Sequence, residues 1–262
     1  NTRKSLVFRC LEPSCGVLME KESSAEKDED GAMDPFFFDE GYTLAGKTGF
    51  QVWPGSRLMV EALTFIEEQQ KYADCQRLVD WQQRVAEGAR VLELGSGVGV
   101  VGTSLAAAGA QVLLTDLKTL VRNSVQPNIQ RNSYTDTIVT EQESPPARAL
   151  WLADDAVPIG KGWAASTVLD WTIPLDDQLE SNDNRSGKCS IEGVDVVIAS
   201  DCVWLVKMME PLFDTVDCVF RRNKNAKLLL SFQRRDPKDA SAAMFTTVDR
   251  VLTAMERRNW AV

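Results

Sequence analysis

The residues with the clearest chemical content sit in one short run. Glu93-Leu94-Gly95-Ser96-Gly97-Val98-Gly99 places an acid near the end of an apolar stretch and follows it with alternating glycines. Glycine lets the chain turn sharply and lets a ligand lie against the main chain. A helix that starts after such a turn offers backbone N–H groups that have no partner within the helix. Asp116 closes the next apolar run, where a carboxylate can accept from both hydroxyls of a ribose. Together these residues spell a nucleoside-binding corner.

Three readings of that corner compete. Gly97-Val98-Gly99-Val100-Val101-Gly102 satisfies G-x-G-x-x-G, with Asp116 about twenty residues on, the fingerprint of a dinucleotide site. A glycine turn that merely packs strand on helix is the second. The third is a cofactor with an amino-acid tail and no phosphate. Glu93 discriminates, because a turn that cradles pyrophosphate has no use for a carboxylate just before its glycines. S-adenosylmethionine, with its ammonium and sulfonium, suits one. On this reading Glu93, Gly95, Gly97, Gly99 and Asp116 line a single pocket.

The elements that must position these groups follow from periodicity. Residues 90–94 and 111–115 are short buried strands, with a helix over 99–108 between them and another over 118–131. Upstream, Ser56 caps a helix running to residue 72, and a second covers 76–86. Downstream, 167–169 forms a third strand and 194–199 a fourth. A helix follows over 207–220, a fifth strand over 227–232 and a long helix over 240–256. Strand and helix alternating at this spacing predict an α/β fold, a Rossmann-like, mostly parallel twisted sheet with helices on both faces. Residues 133–165, with Pro145, Pro146 and Pro158, read as an irregular insertion, and 172–193 as a polar surface loop. In residues 1–47 a short strand over 5–10, a charged linker over 21–30 and a hairpin around Gly41 are expected.

Composition removes whole classes of chemistry. The chain of 262 residues contains no histidine, which excludes Ser-His-Asp triads, Cys-His pairs and His-ligated zinc. Its six cysteines form no C-x-x-C pair, so no metal site is expected, and they read as reduced thiols of an intracellular protein. The net charge of −9 argues against a nucleic-acid partner. No apolar run approaches the roughly 18 residues of a membrane span, and no leader is evident.

Residues 91–132 resemble the class I, seven-strand methyltransferases, and more narrowly the intracellular protein-lysine methyltransferases. Three further segments carry the likeness. They are Val52-Trp53-Pro54-Gly55-Ser56-Arg57, Val168-Leu169-Asp170-Trp171 and Ala199-Ser200-Asp201-Cys202-Val203-Trp204. The last matches the family's D-x-x-[YF] segment except that Trp204 stands where Tyr or Phe is usual. The family's final antiparallel strand pair has no clear counterpart before Val262.

The resemblance implies S-adenosylmethionine as cofactor, with S-adenosylhomocysteine as product, and methyl transfer to a lysine of another protein. Trp53 and Ser200 would belong to the cofactor site, Trp53 beside the methionine end. Asp170 and Trp171 would bracket adenine, the indole against the ring. Asp201 would orient the lysine ammonium and Trp204 would wall its channel. Cys202 is read as packing, since nothing activates it. The implied organisation is an extension over 1–47 and a methyltransferase domain over 48–262, monomeric, off the membrane, cytoplasmic and also nuclear. Methylation of a small molecule or nucleic acid, a non-catalytic methyltransferase-like binding protein and a dinucleotide oxidoreductase stay open.

Overall fold

The computed structural model describes residues 5–10, 48–64, 74–133, 156–180, 191–233 and 245–262. The charged linker over 21–30, the hairpin around Gly41 and most of the 133–165 insertion lie outside them.

The helices α1 (Pro54–Thr64) and α2 (Gln76–Ala86) precede the first described strand, β1 (Arg90–Leu94). Then come α3 (Val100–Ala108), β2 (Gln111–Asp116) and a composite helix. That helix opens as α4 (Lys118–Leu120), passes through a π-helical turn at Val121–Val125 and continues as α5 (Gln126–Asn132). Pro127 sits just after the wide turn and has no N–H to donate, which favours a local break in the i→i−4 ladder. The remaining elements are β3 (Val157–Ile159), β4 (Gly162–Val168), α6 (Leu175–Glu180), β5 (Val196–Ser200), α7 (Val206–Arg222), β6 (Lys227–Ser231) and α8 (Val248–Arg257).

The strands form one six-stranded sheet in the order β3-β4-β2-β1-β5-β6, parallel throughout except for the β3–β4 hairpin at one edge. This is the Rossmann-like α/β architecture expected. Among the described residues no strand follows β6.

Successive residues of the central strands face opposite sides. Leu92, Leu94, Val197 and Ala199 join α7 and α8 through Leu212, Phe213, Val216 and Val251. Val91, Val196 and Ile198 join α1 and α3 through Met59, Leu63, Val101 and Leu105. Both faces are therefore apolar, as a parallel sheet covered by helices requires.

Four expectations change. The insertion contains the β3–β4 hairpin, so the strand expected at 167–169 is the end of one that begins at Gly162. Small residues let β4 pack tightly, and a Cβ on Gly162 would meet Ala106 O at 2.6 Å. Ser56 is not the cap of α1: the helix starts at Pro54, whose fixed φ suits a first helical position. The last helix starts at Val248, because the chain before it is used otherwise. Phe245 bridges Leu205, and the Thr246 N–H donates to Trp204 O at 3.0 Å. Residues 5–10 are extended, but among the described residues no strand pairs with them.

Candidate active site

The C-terminal ends of β1, β2, β4 and β5 open into one cleft of about 850 Å³, its mouth included. This is where open α/β sheets receive ligands. The glycine turn forms its floor. Gly95 and Gly97 line the cleft, and Gly97 has φ 54° while a Cβ on it would stand 2.7 Å from Gly49 O. Gly97→Ala is expected to lower stability by about 1–2 kcal/mol through the left-handed backbone alone, with a further loss of ligand affinity as residues 48–49 are pushed away. Thermal melts and calorimetry on the variant check both.

Asp116 borders the cleft at the end of β2. One carboxylate oxygen accepts the Gly97 N–H at 2.7 Å and the other the Leu117 N–H at 2.7 Å. Each oxygen keeps a lone pair for a further donor. Burial raises its pKa to about 6, against those two hydrogen bonds.

Glu93 is placed differently from expectation. It is 2 % exposed and is not among the residues that line the cleft. The alternation of β1 sends Leu92 and Leu94 to the α7 face and Glu93 to the α3 face, beneath the glycine turn. There its carboxyl accepts the Gly102 N–H at 3.1 Å, while Thr115 Oγ1 donates to its carbonyl at 2.6 Å. Burial raises its pKa to about 8, with a smaller contribution from Asp116. Glu93 braces the turn from behind. Gly99 also stays off the cleft: it caps α3, and a Cβ there would stand 3.2 Å from Leu114 Cδ2.

Asp170 and Trp171 border the cleft after β4. Asp170 Oδ1 accepts from Thr172 N at 2.9 Å and Thr172 Oγ1 at 2.7 Å, which fixes the turn. The Trp171 ring lies against Gly95, where a Cβ would stand 3.0 Å from its Cζ2, and its buried Nε1 has no hydrogen-bond partner. Trp53 also lines the cleft, and its Nε1 donates to Thr48 O at 2.9 Å. That bond closes the loop 48–53 over the glycine turn.

Asp201 and Trp204 follow β5. Asp201 is buried, with φ 55°, a left-handed conformation that a non-glycine residue adopts only under constraint. Its carboxylate accepts the Gly55 N–H at 2.5 Å and the Gln233 N–H at 3.0 Å. Gly55 has no side chain in the way, and a Cβ there would collide with the Asp201 carboxylate. Asp201 thus pins the N-terminus of α1, where Pro54 begins the helix. Ser200 Oγ adds a hydrogen bond to Ser56 Oγ at 2.9 Å. The Trp204 ring borders the cleft and lies tilted against Phe245, with centroids 6.3 Å apart. Cys202 is buried, its thiol 3.2 Å from Leu94 O, and its pKa is pushed well up by burial and by the Asp116, Glu93 and Asp201 charges. A thiol held protonated is no nucleophile.

Among the described residues, the lining includes the carboxylates Asp116, Asp170 and Asp201 and the indoles Trp53, Trp171 and Trp204, and no lysine or arginine. That set accepts hydroxyls, amines and cations and repels pyrophosphate. A family model described as lysine methyltransferase matches residues 40–144 and 160–251. The chain belongs to that family. The two matched stretches of this methyltransferase carry all the residues just described.

Several cleft residues of the methyltransferase were assigned no site role in the sequence reading. Thr48, Gly49, Gln51 and Val52 come from the loop before α1, Leu117 and Leu120 from the start of the composite helix, and Met208 from α7. The Trp53-Pro54 pair marked the loop's end. Nothing in its polar residues told that it folds back over Gly97.

Proposed function

We propose that the cleft binds S-adenosylmethionine and that the enzyme methylates a lysine side chain of another protein. The observation that carries this reading is the three-carboxylate, three-tryptophan lining at the strand ends of a lysine methyltransferase family domain. The buried, unpartnered Trp171 Nε1 beside Gly95 offers a donor that a bound nucleoside would satisfy. When bound, S-adenosylmethionine supplies a methyl group on a cationic sulfur to an amine nucleophile.

The protein's part is positioning and field. Asp116 has the acceptor capacity for two adjacent ribose hydroxyls, and Asp170 and Trp171 would hold the adenine. The Asp201 and Trp204 end of β5 would receive the lysine, its ammonium favoured by the carboxylate charge and the indole face. The amine must shed its proton before it attacks, and solvent at the open cleft mouth can take it. Orientation of the pair then supplies most of the rate. Among the described residues no helix is long and apolar enough to cross a membrane, and Cys10, Cys75, Cys202 and Cys218 are unpaired. Those free thiols support a cytoplasmic or nuclear setting.

Calorimetric titration with S-adenosylhomocysteine and with NADH tests the cofactor, and only the first is expected to bind. Radiolabelled S-adenosylmethionine with protein substrates, followed by amino-acid analysis for methyl-lysine, tests the acceptor. Asp116→Ala is expected to weaken S-adenosylhomocysteine by about 1–3 kcal/mol, the scale of hydrogen bonds to a charged acceptor. Because the ligand hydroxyls favour the ionised carboxylate and the free Asp116 titrates at about 6, wild-type affinity is expected to fall as pH drops through that value. A pH-independent affinity between pH 5 and 7.5 would remove Asp116 from the ribose.

A further inference from the structure

Residues 5–10 run extended along α5, and what pairs with their backbone is a row of side chains. The Val7 N–H donates to Asn132 Oδ1 at 2.7 Å, and Asn132 Nδ2 donates back to Val7 O at 2.7 Å. Two residues on, the Arg9 N–H donates to Asn128 Oδ1 at 2.8 Å, and Asn128 Nδ2 returns a bond to Arg9 O at 3.0 Å. Each primary amide thus presents one acceptor and one donor, as a residue of a neighbouring strand would. The spacing suits both partners. Residues four apart on a helix rise about 6 Å, and alternate residues of an extended chain advance about 6.7 Å.

The contact is through the backbone. Val7 and Arg9 point their side chains to solvent, while half-buried Leu6 packs on the core shared by α1 and α3. The amides themselves are almost wholly buried, Asn128 at 1 % exposure and Asn132 at 7 %. Asparagine is a poor residue for a helix interior, and without the segment both side chains would lose buried partners.

The same amide reaches the cleft. The second hydrogen of Asn128 Nδ2 donates to Val98 O at 2.9 Å, and Val98 lines the cleft between Gly97 and Gly99. The second hydrogen of Asn132 goes to Asn128 O at 2.8 Å. A continuous set of hydrogen bonds therefore links the extended segment to the turn whose glycines hold positive φ.

We propose that Asn128 and Asn132 are positioning residues, a side-chain ladder through which docking of residues 5–10 fixes the glycine turn in its ligand-binding shape. Its consequence for cofactor affinity rests on the cleft being the S-adenosylmethionine site. Its consequence for the turn does not.

The test is the full-length double variant Val7→Pro with Arg9→Pro, which deletes the two donated N–H groups at exposed positions. Hydrogen exchange in the unliganded protein is followed at the Gly97, Gly99 and Gly102 amides, which donate to Asp116, Ser96 O and Glu93. The β5–β6 amides serve as internal reference. Exchange at the turn is expected to quicken about tenfold against that reference, as for about one lost buried hydrogen bond. S-adenosylhomocysteine Kd should rise by a similar factor, with kcat at saturating cofactor unchanged. Asn132→Ala, which spares the Val98 bond, should reproduce a smaller part of both changes. Val7→Thr, which keeps the backbone donor, should change neither. Turn exchange that is unaltered, or that quickens only in step with β5–β6, overturns the proposal. If wild-type protein fails to bind S-adenosylhomocysteine, the cofactor reading falls, and the exchange data still decide the ladder.

Discussion

Asp201→Ala is expected to be the most damaging single substitution in the site, lowering both stability and turnover. The carboxylate answers two backbone N–H groups, of Gly55 and Gln233, that belong to different parts of the chain. Alanine leaves both donors without their charged acceptor and still requires φ near 55° at position 201. Loss of such bonds together with the left-handed strain implies about 2–4 kcal/mol in equilibrium unfolding. The N-terminus of α1 would then be released, and with it Trp53 and the loop over the glycine turn. A shift of that kind, added to loss of charge at the proposed lysine entrance, is expected to reduce methyl transfer on the order of a hundredfold. Asp201→Asn separates the two effects. Asparagine tolerates the backbone and keeps one carbonyl acceptor, so most of the stability should return. If turnover returns with it, the charge is dispensable and Asp201 acts only as an anchor. Unfolding of Asp201→Ala at the wild-type midpoint would show that the anchor carries little.

Glu93→Gln is expected to abolish most of a pH dependence of stability in the unliganded protein. Folding raises the Glu93 pKa from an ordinary 4.5 to about 8, mainly by burial, so between those values the folded state holds a proton the unfolded state has released. The stabilisation is complete below about pH 4.5 and is lost as pH rises through 8. Within the window the slope approaches about 1.4 kcal/mol per pH unit for one group. Asp116 adds a narrower window of the same sign that ends near 6. Glutamine mimics the protonated side chain and keeps an acceptor for the Gly102 N–H. From pH 6.5 to 8 the wild-type Tm should therefore fall by roughly 4–8 °C, while that of the variant stays nearly level. Parallel melting curves for the two proteins across that range would contradict a buried, proton-holding Glu93.

The parts of the site written in local sequence were legible. The β1 strand, the glycine turn and Asp116 follow from residues a few positions apart, because a strand, a tight turn and a helix start each have their own residue signature. The placement of Glu93 needed one more step. Period-two alternation from Leu92 and Leu94 already sends it to the opposite face, and the attraction of an acid for a cationic ligand obscured that. The hairpin inside the insertion was missed for a different reason. Gly162-Trp163-Ala164-Ala165-Ser166-Thr167 carries few β-branched residues, and it becomes a strand through its pairing with β2, with no room for a side chain at Gly162. Long-range partnerships lay beyond reach altogether. Nothing near Asp201 announces Gly55, 146 positions away, and nothing near Asn132 announces Val7, 125 away.

The short outer strand β3 also bears on how the protein behaves in a crowded solution. In a two-residue hairpin the pair next to the turn, Ile159 with Gly162, exchanges backbone hydrogen bonds, and the next pair, Pro158 with Trp163, does not. The main chain of residue 158 therefore faces away from the sheet, and being proline it has no hydrogen to offer there. An aggregating strand that approached this rim would find no donor at the centre of a three-residue platform, too little to begin a ladder. One imino acid at the rim thereby discourages the sheet from growing into a fibre on that side.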